Sequence, residues 1–271
     1  CNMAVMIELP TDENYIQSVL NYWTPERMKE AIPYSIEVNS EGNAILVEGK
    51  AEPENTGYVP NGDYTKTPYA QTGKVFFVSG GRNYVCSGSS NGNHAVLTAG
   101  HCVSNGKGNY HTNWIFAPQY NSGSTPKGKW VAKKYLTFRE WHNSGSLGRD
   151  WAWSIVNAQS GRSLEATVGK LSFTSCSTGN AVIAAGYPVP NFGGERMVRS
   201  QSSISRTDGS QRPPTLGISS TMQGGCSGGP WTKGSSSCGV NSYLYTGQPY
   251  LYSPVVDSSV NQMQQQAVRE G

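Results

Sequence analysis

Charge is scarce in this chain. Asp, Glu, Lys and Arg together make 14% of its 271 residues, well below the roughly 25% of an average soluble domain. The net charge is only +3 and is not clustered, so nothing points to a nucleic-acid partner. No apolar run approaches the roughly 18 residues of a membrane-spanning helix, and no membrane span is expected. No Cys-x-x-Cys pair occurs, which argues against a thiolate zinc site, and no metal is expected. No Asn-x-Ser/Thr sequon occurs, so glycosylation gives no clue to the host. No signal peptide is visible. The chain opens at Cys1, as expected if an upstream segment has been removed.

Glycine, by contrast, is plentiful, at 32 of 271 residues against an average of about 7%. Many Gly, Ser, Asn and Tyr with little charge suit a turn-rich, all-β extracellular protein. Cysteines stand at positions 1, 86, 102, 176, 226 and 238. An even count in such a composition favours disulfides and an oxidising compartment, hence secretion. Six buried thiols remain the alternative. The length suffices for one two-part unit or two small domains.

Residues 1–66 differ in texture from the rest. Ile16, Val19, Leu20 and Trp23 recur at helical spacing between Glu13 and Trp23. Thr24-Pro25-Glu26 reads as an N-cap followed by proline at the first helical position, and Pro33 stops this second short helix. Ala44–Val47 reads as a strand. Glu52–Lys74, rich in Pro, Gly, Asn and Thr, reads as a linker. From Lys74 the pattern turns to β. Val75–Val78 and Tyr84–Cys86 around Gly80-Gly81 form a predicted hairpin. Further predicted strands are 95–97, 114–116, 130–132, 153–156, 181–184, 217–219 and 240–245. Many short strands with Gly/Pro turns indicate barrels or a sandwich. Ser258–Arg269 reads as a closing helix.

Three segments carry chemistry. Gly224-Gly225-Cys226-Ser227-Gly228-Gly229-Pro230 presents a serine in a glycine-built turn. Thr98-Ala99-Gly100-His101-Cys102 supplies a base, because a serine hydroxyl is a poor nucleophile without one. Asp150, in Arg149-Asp150-Trp151-Ala152-Trp153, would hold the imidazole tautomer and stabilise its cation. The acids Glu140, Glu165, Glu195 and Asp208 lack an Asp-x-Ala-x context before an apolar strand, and His94, His111 and His142 lack the flanks of His101. Gly225 and Ser227 would direct backbone N–H groups at a developing oxyanion. Gly225-x-Ser227-x-Gly229 also fits an α/β-hydrolase elbow. That fold orders its triad Ser, acid, His on a strand–turn–helix, whereas the order here is His, Asp, Ser.

Leu97–Cys102, Asp150–Trp153, Ala185-Gly186-Tyr187-Pro188 and Gly225–Pro230 resemble the chymotrypsin-like serine peptidases, over about Val75 to Gln265. The likeness is nearest to the secreted bacterial and fungal branch that includes the glutamyl endopeptidases. It implies an all-β fold of two six-stranded antiparallel β-barrels with a C-terminal helix and an N-terminal extension of short helices. The expected division is 1–66 as extension, 67–165 as first barrel, 166–257 as second barrel and 258–269 as helix. It also implies peptide-bond hydrolysis of protein or peptide substrates, without cofactor or metal, by a monomer. The family disulfide around the histidine loop implies a Cys86–Cys102 bond. Cys1, Cys176, Cys226 and Cys238 allow three pairings.

Two departures from the family pattern bear on function. Trypsins carry Asp directly before the serine, to pair with a newly freed N-terminal amine. Cys226 stands there instead, and a disulfide from it is expected to fix the oxyanion turn. Trypsins also carry Asp six residues before the serine, where this chain has Thr221, followed by Met222 and Gln223. No His follows Ser227 to hold a glutamate. Asn241, Ser242 and Tyr243 are expected to complete the pocket wall, with Ser242 contacting substrate backbone. An uncharged side chain is expected in that pocket. Tyr22–Met28 resembles a pro-region motif, so the chain is expected to be a precursor cut between Lys50 and Lys74. The competing reading is a catalytically silent binding protein that keeps the fold.

Overall fold

The structure, a computed structural model, describes residues 4–46 and 55–271. Its first sheet uses β1 (Ala4–Glu8), β2 (Ile32–Pro33), β6 (Thr72–Ser79), β7 (Arg82–Ser90), β8 (Ala95–Thr98), β9 (Thr112–Pro118), β10 (Trp130–Phe138) and β11 (Ala152–Val156). Its second uses β3 (Ile36–Val38), β4 (Ala44–Leu46), β5 (Thr56–Tyr58), β12 (Ser172–Phe173), β13 (Ala181–Gly186), β14 (Val198–Asp208), β15 (Thr215–Ser219), β16 (Pro230–Lys233), β17 (Ser236–Val240), β18 (Tyr243–Tyr245) and β19 (Tyr250–Pro254). The helices are α1 (Glu13–Tyr22), α2 (Pro25–Glu30), α3 (Arg139–Ser144), α4 (Leu164–Val168) and α5 (Ser258–Arg269).

Strands β6 to β11 close an antiparallel barrel, because β9 pairs with both β6 and β10. Alternating large apolar residues fill it: Val75, Phe77, Leu97, Phe116, Tyr135 and Trp153 are all essentially inaccessible. Strands β12 to β19, with β3, β4 and β5, form a second β unit ordered β17-β16-β13-β14-β15-β19 at its centre. There β17 and β19 meet through the Val240 N–H donating to Ser253 Oγ at 3.0 Å. The two β units and the closing helix match the expected all-β double-barrel class. Helix α5 sets Val260, Met263 and Ala267 into the first-barrel core. Its cap, Asp257, accepts from the Val260 N–H and binds Arg149 Nη1 at 2.8 Å.

The two expected short helices form where their caps stand. Asp12 accepts the Tyr15 N–H and Thr24 the Arg27 N–H, each satisfying an otherwise orphaned helix donor. Trp23 is buried and donates its indole N–H to the Asn113 carbonyl at 2.6 Å.

The linker reading of Glu52–Lys74 is corrected over its described part. Residues 55–74 contain β5, paired with β14, and the start of β6, with Val59, Tyr64 and Tyr69 buried. Pro and Gly there build turns between paired segments rather than a free tether. Positions 47–54 lie outside the described residues, and with them Val47, the first part of that linker and the Lys50 end of the expected cleavage range. The strand read across 240–245 is broken at Asn241-Ser242, whose side chains serve the site described next. Strand β1, paired with β10, was not expected.

Candidate active site

Strand β8 ends at Thr98, and a single 3-10 turn, Gly100–Cys102, carries His101 into the region between the two β units. The Cys86–Cys102 disulfide ties this turn to β7, as the family likeness implied. Asp150 follows a second 3-10 turn at the head of β11. Its two oxygens grip the histidine residue twice: Oδ1 accepts the His101 backbone N–H and Oδ2 meets Nδ1, both at 2.7 Å. Ser242 Oγ donates to the same Oδ2 at 2.6 Å. Three contacts on one carboxylate hold it still, and with it the ring it faces.

A second histidine buttresses the first. His111 Nε2 bonds the His101 carbonyl at 2.8 Å and its ring stacks on Phe77 with centroids 4.3 Å apart. Burial pushes this imidazole down to about 3, against an ordinary 6.5, so it is neutral and donates.

Ser227 lies in the Gly224–Gly229 turn, which is braced on every side. Ser87 Oγ donates to the Gly225 carbonyl at 2.8 Å and the Ser87 N–H to the Ser227 carbonyl at 2.7 Å. The Gly228 N–H donates to the Asn241 carbonyl, and the Val189 N–H to the Gly224 carbonyl. Gly225 and Gly228 adopt φ of +102° and +83°, a region other L-residues enter only with strain. A Cβ at Gly228 would also sit 2.1 Å from Thr98 Oγ1.

The predicted pocket residues take several roles. Thr221 and Met222 are buried beside the turn, and Thr221 Oγ1 has no hydrogen-bond partner among the described residues. Gln223 is half-buried and its carbonyl accepts the Cys226 N–H at 3.2 Å. Asn241 is wholly engaged in bracing: its Nδ2 donates to the Ala185 and Cys226 carbonyls at 3.0 Å, and its Oδ1 accepts the Trp231 indole N–H at 2.8 Å. Ser242 spends its hydroxyl on Asp150. The Tyr243 hydroxyl is shared with Asp208 and Thr215, at 2.6 Å each.

The expected disulfide from Cys226 does not form. Cys176 pairs with Cys238, and Cys226 is a free, buried thiol whose desolvation pushes its pKa up to about 12. Its backbone and Cβ pack against Gly186, where an added Cβ would lie 2.9 Å away. The space suits a small side chain with no covalent partner.

The site is closed. His101 and Asp150 are 0% exposed and Ser227 4%. The His101 Nε2 is buried without a hydrogen-bond partner among the described residues, so the Ser227 hydroxyl does not donate to it here. Sequence reasoning missed the groups that orient this pair, namely the Ser242 hydroxyl and His111. The sequence placed Ser242 in the pocket wall and set His111 aside, and neither was read as orienting His101 and Asp150.

A family model described as Trypsin matches residues 61–264. Among solved structures, a protease called Anisep from Arthrobacter nicotinovorans is 34% identical, with 75% of this chain and 98% of that one covered and a TM-score of 0.70. A thermostable serine protease, AL20, from an extremophilic microorganism is 30% identical over 74% of this chain and 98% of its own, also with a TM-score of 0.70. A Glu endopeptidase in complex with MPD shares the fold at 19% identity, 80% and 98% coverage, and a TM-score of 0.66. No curated protein matches the chain.

Proposed function

The chain belongs to the trypsin family and is a serine endopeptidase, and from that premise we propose that Ser227, His101 and Asp150 are its catalytic triad. His101 Nε2 takes the Ser227 proton as Oγ attacks the scissile carbonyl, then gives it to the leaving amine. Asp150 holds the ring with Nε2 turned toward the serine and stabilises the imidazolium that forms. The N–H groups of Gly225 and Ser227 receive the oxyanion, a contact worth about 2.7–4 kcal/mol of barrier per donor. The acyl-enzyme is then hydrolysed by water, with His101 as base. The observation that carries this reading is the double grip of Asp150 on His101 at 2.7 Å, reinforced by Ser242.

Thr221 and Met222 favour an uncharged side chain at the scissile bond. Residues 67–271 form the peptidase part, in the barrels and helix expected from the sequence, and it works as a monomer. Residues 1–66 form a pro-region, so the chain is a precursor. Two disulfides and the absence, among the described residues, of any helix fit to cross a membrane suit an extracellular peptidase, and we assign secretion on that ground.

Labelling with a fluorophosphonate serine probe tests the assignment, with Ser227→Ala and His101→Ala alongside, before and after limited proteolysis between residues 47 and 74. The expected result is covalent label on Ser227 once the chain is cut, and none on either variant. Absence of label from a folded, cut chain would turn the case to a binding protein that keeps the triad.

A further inference from the structure

The segment that closes the site comes from the chain itself. Strand β2 runs parallel to β7, with Ile32 beside Tyr84 and Pro33 beside Val85, and the Tyr34 N–H donates to the Val85 carbonyl at 3.1 Å. The Tyr34 ring then lies over His101, the two planes nearly parallel at 20° and the centroids 6.1 Å apart. Pro33 and Ser35 press on Gly224, where an added Cβ would lie 2.8 Å from Pro33 Cβ and 2.9 Å from Ser35 Oγ. Strand β3 leaves along β18, again parallel, pairing Ile36 with Tyr243, Glu37 with Leu244 and Val38 with Tyr245. The Thr246 N–H secures the far end on the Val38 carbonyl at 3.0 Å.

Direction decides what this segment can do. Strand β7 leads toward the nucleophile, because Ser87 follows Val85 and bonds the Ser227 carbonyl. Strand β18 leads away from the triad, because Ser242, on Asp150, directly precedes it. Residues 31–38 therefore arrive along β7 and depart along β18. Given the proposed roles of Ser227 and His101, a substrate must run the other way. Its acyl half carries a side chain into the pocket at Thr221–Gln223, in the same β unit as β18. Its amine half must lie toward His101, in the unit of β7, to receive the proton from Nε2. N to C, a substrate thus passes from β18 to β7, antiparallel to β18.

We infer that residues 31–38 are an autoinhibitory strap that occupies the cleft in reversed polarity, which blocks substrate and protects the strap from the enzyme it covers. Any strap peptide bond near Ser227 puts its nitrogen on the β18 side and its carbonyl carbon toward β7. A leaving amine so placed cannot take the His101 proton, and productive attack requires that alignment. The strap binds by sheet addition and by apolar seats. Ile36 and Val38 are buried against Trp141, Leu147, Tyr243 and Tyr252.

The test measures the rate of fluorophosphonate labelling at Ser227 in the full, uncut chain and in its Ile36→Asp variant. A carboxylate in the Ile36 seat loosens the strap without touching the triad, and labelling at least tenfold faster than the parent is expected. A second measurement adds a synthetic capped peptide of residues 31–38 to the cut enzyme. Competitive inhibition with the peptide recovered intact is expected, together with weaker inhibition by its Ile36→Asp form. An Ile36→Asp chain that labels no faster than the parent, while the cut parent labels, would overturn the strap as the block. Cleavage of the peptide between Pro33 and Ile36 would overturn the reversed polarity. Failure of uncut, cut and variant chains alike to label would overturn the assignment of Ser227 itself, and the strap's role with it.

Discussion

Replacing His111 by Gln should flatten the acid limb of this protein's stability. The imidazole is buried against Phe77 and Tyr34, and burial holds its folded pKa near 3 while the unfolded chain titrates near 6.5. Its bond to the His101 carbonyl opposes that shift and the His101 ring adds to it, but desolvation dominates. Between those two values the unfolded state binds the proton and the folded state does not. Stability is therefore fully present above pH 6.5 and is lost as pH falls toward 3. With these end points the linkage relation gives a loss of about 2 kcal/mol at pH 5 and about 3 kcal/mol at pH 4. That is a large share of the roughly 5–15 kcal/mol that hold a typical domain. Glutamine keeps an N–H able to reach the His101 carbonyl and does not titrate. Urea denaturation of parent and His111→Gln at pH 7, 5 and 4 reads the effect as a difference, so other titrating groups cancel. The expected result is a parent that loses about 2 kcal/mol more than the variant between pH 7 and 5. Parallel pH curves for the two chains would refute the claim that His111 is buried neutral.

Asp150→Asn should lower kcat of the cut enzyme about 10⁴-fold with KM little changed, a magnitude taken from the same change in a related triad; steady-state kinetics on a peptide ester checks it, and a loss under tenfold would remove Asp150 from the triad. Asn241→Leu should orphan the Trp231 indole N–H, at about 1–3 kcal/mol for a buried group left unpaired, and remove a donor from the Ala185 carbonyl and from the Cys226 carbonyl, which keeps the Gly229 N–H. Thermal unfolding should show a drop of several degrees, and an unchanged midpoint would mean the network is not needed. Cys226, with its thiol pushed up to about 12, should resist iodoacetamide at pH 8 in the folded chain and react once unfolded; mass spectrometry of the alkylated peptide reads this directly.

The first barrel was legible because its strands are short apolar runs between glycine turns, as in Val75–Val78 and Ala95–Leu97, and the closing helix because Val260, Met263 and Ala267 recur on one face. Strand β14 was not. Its sequence, Val198-Arg-Ser-Gln-Ser-Ser-Ile-Ser-Arg-Thr-Asp208, is mostly polar, since much of it faces solvent, and its pairing with β13, β15 and β5 is backbone work that leaves little apolar signal. Strand β1 was hidden for a related reason: it is an edge segment with Met6 exposed. The proposed triad could be read because its flanks are confined in sequence. Ser242 and His111 could not, because their service to Asp150 and His101 depends on distant strands meeting. The strap was hidden most completely. Pro33, Tyr34 and Ser35 look like the end of a helix, and nothing local tells that they cross a cleft built almost entirely by residues that follow them.

The free thiol of Cys226 bears on how the proposed latency would work. An ion pair or a disulfide at that position would have made the nucleophile turn depend on a bond formed late, by cleavage or oxidation. In this chain the turn is held instead by Ser87, Asn241 and close packing on Gly186, all within the folded peptidase part. The Asp150–His101 contact is likewise in place while the strap lies over it. A centre already braced in the uncut chain does not need to be assembled by maturation. On the proposed reading, what separates it from activity is occupancy: Tyr34 over His101, Pro33 and Ser35 on Gly224, and β3 on the strand where substrate would pair. On this view cleavage acts on the strap's hold rather than on the geometry of the turn. A strap that binds backward suits that arrangement, because it can sit on a fully formed nucleophile without being consumed.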